Sequence, residues 1–263
     1  MKQLKLMVLT LTLLMGTMFT SCMDSGESGP QQWAGVVKVN DRMRYVTFTD
    51  AAGTELIPTN TIPVTLNARM AYIYCQVDEG QDLSTNPKSI KITLLADPTG
   101  IDATAITTPK VGESGDVTTN APVGSLSFAS GYSTVAPFQF SENTIVLPVL
   151  YRVKNVTTTE DIKNELAKHT FTLVCYTDDI KSGDTILKFY LRYKVEDEPA
   201  AIAERATRTS SFKAYEISQI LREYTLKSGQ AKPAKITIVA KQNEYNNKLE
   251  DTSTIEKVYE IEY

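Results

Sequence analysis

Acid–base or nucleophilic chemistry needs a base, and the 263-residue chain carries one histidine, His169, in "LAKHT". A serine triad would use that imidazole beside a nucleophile, but no G-x-S-x-G turn occurs anywhere. His169 falls where a short helix or loop ends, so it is expected to face solvent or to cap, not to move protons. Two acid clusters, Asp178-Asp179 with Asp184 and Glu196-Asp197-Glu198, are the candidates for glycoside hydrolysis or calcium. Adjacent acids on a strand point to opposite faces, so a working pair must come from two strands. Both clusters fall at strand ends, where a solvated turn accounts for them. Zinc lacks ligands, with one histidine and no close pair of cysteines. No phosphate-binding glycine loop is present. The expectation is a protein without enzymatic activity, metal or cofactor.

The cysteine with chemistry to perform is Cys22. The chain opens with Lys2 and Lys5, runs through the apolar "LMVLTLTLLM" of residues 6–15, and turns small before "FTSC". A basic start, a short apolar core and small residues at a cut are the marks of a secretory signal peptide. The run is too short for a membrane span of roughly 20 residues. "FTSC" resembles the bacterial lipobox, in which the cysteine after the cut takes the lipid, with Phe19 standing where Leu is commonest. Acyl chains on Cys22 would each contribute about 0.8 kcal/mol per buried CH₂, and more than one makes the attachment effectively permanent. Residues 1–21 are therefore expected as a leader and 22–32, "CMDSGESGPQQ", as a flexible tether. The acids Asp24 and Glu27 just after the cysteine are similar to a weak form of the surface-export signal of Bacteroidetes lipoproteins. The expected address is the cell envelope, on the outer membrane, with the periplasmic and surface faces both open.

Removing Lys2 and Lys5 with the leader leaves 25 basic residues against 31 acidic, a net charge of −6. Such a balance argues against a nucleic-acid partner. Cys75 and Cys175 lie in "AYIYCQV" and "FTLVCYT", in phase with the apolar face of each strand. They are expected as unpaired thiols in separate cores.

The elements that must hold these residues are strands. Period-two alternation dominates. "WAGVVKVN", "RMRYVTFTD", "GTELIPT", "AYIYCQVDEG" and "KSIKITLLADP" are five short strands, with a turn at Asn40-Asp41. Over residues 33–96 they have the size of a partly open OB-type barrel. Residues 97–125 are poor in large apolar side chains and rich in Gly, Pro and Thr, which suggests an interdomain linker, with room for a short strand inside it. From residue 126 to 263 the strands lengthen: "NTIVLPVLYRVK", "TFTLVCYTDD", "TILKFYLRYKVED", and a final hairpin of "AKITIVAKQ" and "EKVYEIEY". "TTTEDIKNELAKH" is either a short helix, capped at Thr159 with Ile162 and Leu166 on its apolar face, or a loop. "SFKAYEISQILREY" is ambiguous between strand and helix. Seven or so long strands joined by turns suggest an immunoglobulin-like sandwich. The fold class expected is all-β.

A lipobox, a five-stranded barrel beginning near Trp33, then a sandwich ending on a strand, resembles the NigD-like lipoproteins of Bacteroidetes. "SCMDSGES", the run from Trp33 through "RYVTFTD" to "TELIPTN", "KSIKITLL", and the pair "FTLVCYTDD" and "TILKFYLRYK" carry the likeness. It implies the same two-domain arrangement and no activity; beyond Cys22 it brings no functional residues.

Two partner classes remain. One is a protein-interaction or envelope-accessory role; the other is a surface glycan-binding module. Over residues 33–97 six bases face seven acids, so an OB-type barrel here does not suit nucleic acid. Sugar stacking would use Trp33, Tyr45, Tyr72 and Tyr74 as an aromatic platform, with Tyr72 and Tyr74 on one side of their strand. Packing against the tether or the second domain is the first expectation for these tyrosines, ahead of a sugar platform.

Overall fold

The computed structural model describes residues 31–42, 45–60, 66–83, 87–130 and 133–263. They form two units, one of residues up to 102 with 129–135, the other of 103–128 with 136–263. Among the described residues no helix is long and apolar enough to cross a membrane.

The first unit is a closed five-stranded barrel. Strand β1 (Gln32–Arg42) is long enough to pair twice, antiparallel to β2 (Tyr45–Thr49) through its second half and to β4 (Met70–Val77) through its first. Strand β3 (Glu55–Pro58) continues antiparallel from β2 and lies parallel to β5 (Ser89–Leu94), which returns antiparallel to β4. The order β1-β2-β3-β5-β4 closed on β1 is the OB-type arrangement. Alternation supplies the interior, since Val37, Phe48, Leu56, Ile73, Cys75 and Ile92 all point into one core. Asn40 and Asp41 make no turn: they pair with Thr47 and Val46 inside the β1–β2 ladder. Their turn-forming tendency is overridden because Asn40 Nδ2 finds Thr49 Oγ1 across the strands at 2.7 Å.

The segment 97–125 is built into structure on both sides. Strand β6 (Thr99–Gly100) pairs with β4 in the barrel unit, and β7 (Asp102–Thr108) lies parallel to a sandwich strand. Further on, Ala121 and Val123 are buried in the sandwich core. Asn120 stands in for a strand residue, its amide donating to Val195 O and accepting from Val195 N, both at 2.8 Å. Ala103, Ala105, Ala121 and Val123 pack on the sandwich core with side chains too small to show as apolar periodicity.

A short hairpin, β8 (Phe128–Ser130) with β9 (Ser133–Val135), precedes the main strands of the second unit. These are β10 (Phe138–Ser141), β11 (Thr144–Val153), β12 (His169–Tyr176), β13 (Ile186–Val195), β14 (Thr207–Glu216), β15 (Lys235–Gln242) and β16 (Ile255–Glu262). With β7 they run in the order β10-β11-β14-β7-β12-β13-β15-β16. The run folds over on itself as a sandwich, because the Tyr151 ring of β11 packs edge-on against Phe171 of β12 at 5.0 Å. The expected β12–β13 and β15–β16 hairpins form, while β7–β12 and β13–β15 are parallel. Parallel pairing needs long connections, and both are long: β7 reaches β12 by way of β8 to β11, and β13 reaches β15 by way of β14. Helix α1 (Thr159–Ala167) joins β11 to β12, α2 (Pro199–Ala203) joins β13 to β14, and α3 (Ser218–Ser228) joins β14 to β15. The ambiguous "SFKAYEISQILREY" is thus strand and then helix, and α3 stops at Gly229, whose φ of 75° is left-handed.

Candidate functional site

Helix α1 presents an unexpected face. Its N-cap is Thr158, whose hydroxyl accepts from Asp161 N at 3.1 Å, one residue ahead of Thr159. Ile162 and Leu166 are each 43% exposed, and the side turned inward carries Glu165. A buried carboxylate needs partners, and three neighbouring elements supply them. Arg205, just past α2, forks onto both oxygens, Nε to Oε1 at 2.7 Å and Nη2 to Oε2 at 3.1 Å. The Lys154 amide donates to Oε1 at 2.9 Å. His169, four residues on at the start of β12, places Nε2 at 3.3 Å from the same oxygen.

An ionised Glu165 can only accept, so Nε2 carries the imidazole proton and Nδ1 accepts from the Tyr193 hydroxyl at 2.6 Å. Arg205 continues outward to Asp197 Oδ2 at 3.1 Å, where Lys154 and Lys168 also converge at 3.3 Å. Burial would raise the Glu165 carboxyl, but Arg205, the Lys154 amide and His169 outweigh it and hold it below the usual carboxylate range. Asp197 is held far lower, by Arg205 first and then Lys168. Burial lowers His169 and Glu165 only partly restores it. Burial pushes the Tyr193 phenol well up.

Carboxylate, imidazole and phenol in a row have the parts of a proton relay. Here they are enclosed: the side chains of Arg205, His169 and Glu165 are at most 5% exposed. Glu165 is spent on Arg205, and the phenol stays protonated. The arrangement clasps α1, β12, β13 and the α2–β14 connection together. His169 is therefore a buried structural residue, contrary to the solvent-facing position expected, because Glu165 and Tyr193 satisfy both ring nitrogens.

Both low values act in the same direction with pH. A histidine lowered in the folded state lets the unfolded chain bind more protons below about pH 6.5. Stability therefore falls as pH drops through that window, and the lowered carboxylates add a second loss below about pH 4. His169→Gln should flatten the first part: the melting temperature of the native chain should fall between pH 7.5 and 5.5 by several degrees more than that of the variant. Equal slopes would mean that His169 is not the group.

The other sequence candidates are brought together less. Asp184 accepts from the Lys181 amide at 2.7 Å to close the β12–β13 loop, and Asp178 faces Lys227 at 3.6 Å. Among the described residues no three acid, histidine or cysteine side chains converge as a metal site. Cys75 and Cys175 are free and buried, one in each core, and burial pushes both thiols up to about 12. Trp33 sits opposite Cys75 and packs on the barrel core, whereas Tyr72 and Tyr74 point to the other side of β4. Tyr72 is half-buried; Tyr74 is 39% exposed and donates to Gln32 Oε1 at 2.5 Å. Cys22 lies outside the described residues.

Fold and site together define a two-unit all-β protein, an OB-type barrel with a β-sandwich, in which the Glu165–His169–Tyr193 row is enclosed. A crystal structure of a candidate lipoprotein from Bacteroides fragilis is similar at 94% identity, covering 89% of this chain and 98% of that one, with a TM-score of 0.84. The chain belongs to this Bacteroides lipoprotein family. The fold alone is shared with a protein of unknown function (DUF1344) from Bacteroides vulgatus, at 10% identity over 88% of this chain and 90% of that one, TM-score 0.53. A candidate toxin-related protein from Parabacteroides distasonis is similar in fold at 12% identity over 88% of this chain and 93% of that one, TM-score 0.50. No family model matches the chain. No curated protein matches it either.

Proposed function

We propose that the protein is a NigD-like lipoprotein, held on the outer membrane by lipid on Cys22, and that it works by binding a protein partner, without catalysis. The observation that carries the non-catalytic part is the closure of the Glu165–His169–Tyr193 row around Arg205. That base is occupied, and both buried thiols are raised to about 12, so neither cysteine is an activated nucleophile. The "FTSC" motif and the 94%-identical candidate lipoprotein support the anchor.

Cys22→Ala should abolish incorporation of labelled palmitate and leave either precursor or a released soluble form. Equal labelling of the variant would sink the anchor. The soluble form also separates the two binding readings on a glycan array. Retention that is lost in Tyr74→Ala would favour sugar, while no retained glycan leaves the protein-partner reading standing.

A further inference from the structure

Three segments of the sandwich unit meet around an open cleft of about 410 Å³: the end of β10 with its turn into β11, the connection from α3 to β15, and the end of β16. Gln139, Phe140, Ser141, Glu142, Lys232 and Tyr263 line it. Strand alternation alone would turn Phe140 away from Gln139 and Ser141. The β10–β11 register shifts between Gln139 and Ser141, however, and leaves Phe140 out of the ladder. A bulge of this kind re-aims a side chain, and all three residues line the cleft.

Tyr263 ties the segments together. Its amide donates to Ala234 O at 3.2 Å, two residues past Lys232, and its hydroxyl donates to Glu142 O in the β10–β11 turn. Half-buried and held at both ends, the ring is a preset wall. Burial first, and then the charge of Glu142, raise its phenol, so that carboxylate stands close to it.

The polar groups of the cleft are unspent. Among the described residues the side chains of Gln139, Ser141, Glu142 and Lys232 make no hydrogen bond or ion pair. Gln139 and Ser141 can donate and accept, Glu142 accepts and Lys232 donates. An anion meets Glu142 and a cation meets Lys232, so a ligand without net charge is favoured. Phe140 and Tyr263 add aromatic faces, which attract polarised C–H groups. Donors, acceptors and rings in one cleft suit a molecule with hydroxyls on its rim and C–H groups on its faces. The volume lies within the roughly 300–1,000 Å³ of small-molecule sites, room for about one or two sugar rings.

We propose that this cleft binds a neutral sugar, stacked on Phe140 and Tyr263, with its hydroxyls held by Gln139, Glu142 and Lys232. The site belongs to the sandwich unit and is distinct from the Tyr72 and Tyr74 side of the barrel strand β4. It depends neither on the anchor nor on a protein partner.

Titration calorimetry on the full chain tests this with methyl glucoside, methyl galactoside, N-acetylglucosamine and maltose. Sodium glucuronate and L-phenylalanine are the anionic and zwitterionic comparisons. Saturable binding of at least one neutral sugar is expected, with glucuronate and phenylalanine about tenfold weaker or worse. Phe140→Ala should weaken that sugar about tenfold. Lys232→Met and Glu142→Ala, both at exposed positions outside strands and helices, should each weaken it several-fold, and they keep the test open if Phe140→Ala loses its fold. Tyr74→Ala should leave it unchanged. No saturable binding of any of these sugars, glucuronate or phenylalanine bound as well as the sugar, binding unchanged in both Lys232→Met and Glu142→Ala, or binding lost in Tyr74→Ala would each overturn the proposal.

Discussion

Replacing Arg205 by Met is expected to destabilise the protein by about 3–5 kcal/mol, the cost of leaving one half of a buried ion pair alone. The Arg205 side chain is fully buried, and it spends its guanidinium on Glu165, Asp197 and the Ala201 carbonyl. Met fills a similar volume, so the loss measures charge and hydrogen bonding more than cavity. What remains is Glu165, almost buried, with the Lys154 amide and His169 as its only donors. Against a total of about 5–15 kcal/mol for a domain, that is about a fifth of the stability or more. The check is the urea midpoint, with the slope used to confirm an unchanged native state. Adding Glu165→Leu to Arg205→Met should recover part of the loss, because an apolar pair needs no counter-charge. Recovery stays incomplete, since the Lys154 amide and His169 then lose their acceptor. A single-variant loss below about 1 kcal/mol would show that the clasp is solvated and carries little.

This clasp was the least legible part of the molecule. Strands announce themselves where one face is wet: β13 alternates exposed and buried almost without fault from Ile186 to Val195, and its phase is plain in "ILKFYLRYKV". The five barrel strands were legible for the same reason. The strand β7 was not, because Ala103 and Ala105 pack against the core with side chains too small to register as apolar periodicity. Helix α1 misled through Ile162 and Leu166, which suggest an apolar face that the fold leaves outside. Glu165 and His169 stand four apart, the one local signal that they meet. Arg205, 40 residues away from Glu165, gives no sequence sign that a buried cation completes the site. A charge buried by a distant partner is a tertiary fact, and single-residue patterns carry none of it.

Phe48→Ala is expected to open the barrel. Phe48 is fully buried on β2, opposite Val39 of β1 and Leu56 of β3, so its ring spans the three strands that begin the closure. Removing such a ring costs about 3–5 kcal/mol. A body of roughly 65 residues buries only about 60% of its unfolded surface and seldom has more than 3–5 kcal/mol in hand. The whole margin goes. Hydrogen exchange should show it in the segment from Tyr45 to Pro58, protected in the native chain and exchanging near the unprotected rate in the variant. Cys75 gives a second, chemical reading from the same core. Its thiol, 1% exposed and raised to about 12, should resist alkylation at pH 7.5 in the native chain and react readily once Phe48 is gone. Tyr45→Ala is the control on the same strand: its ring is 56% exposed, so the change should stay within about 0.5 kcal/mol. If Phe48→Ala leaves Cys75 unreactive and the β2–β3 amides protected, the nine-residue cluster around Phe48 is not what holds the barrel closed, and its stability must come from the backbone ladder alone.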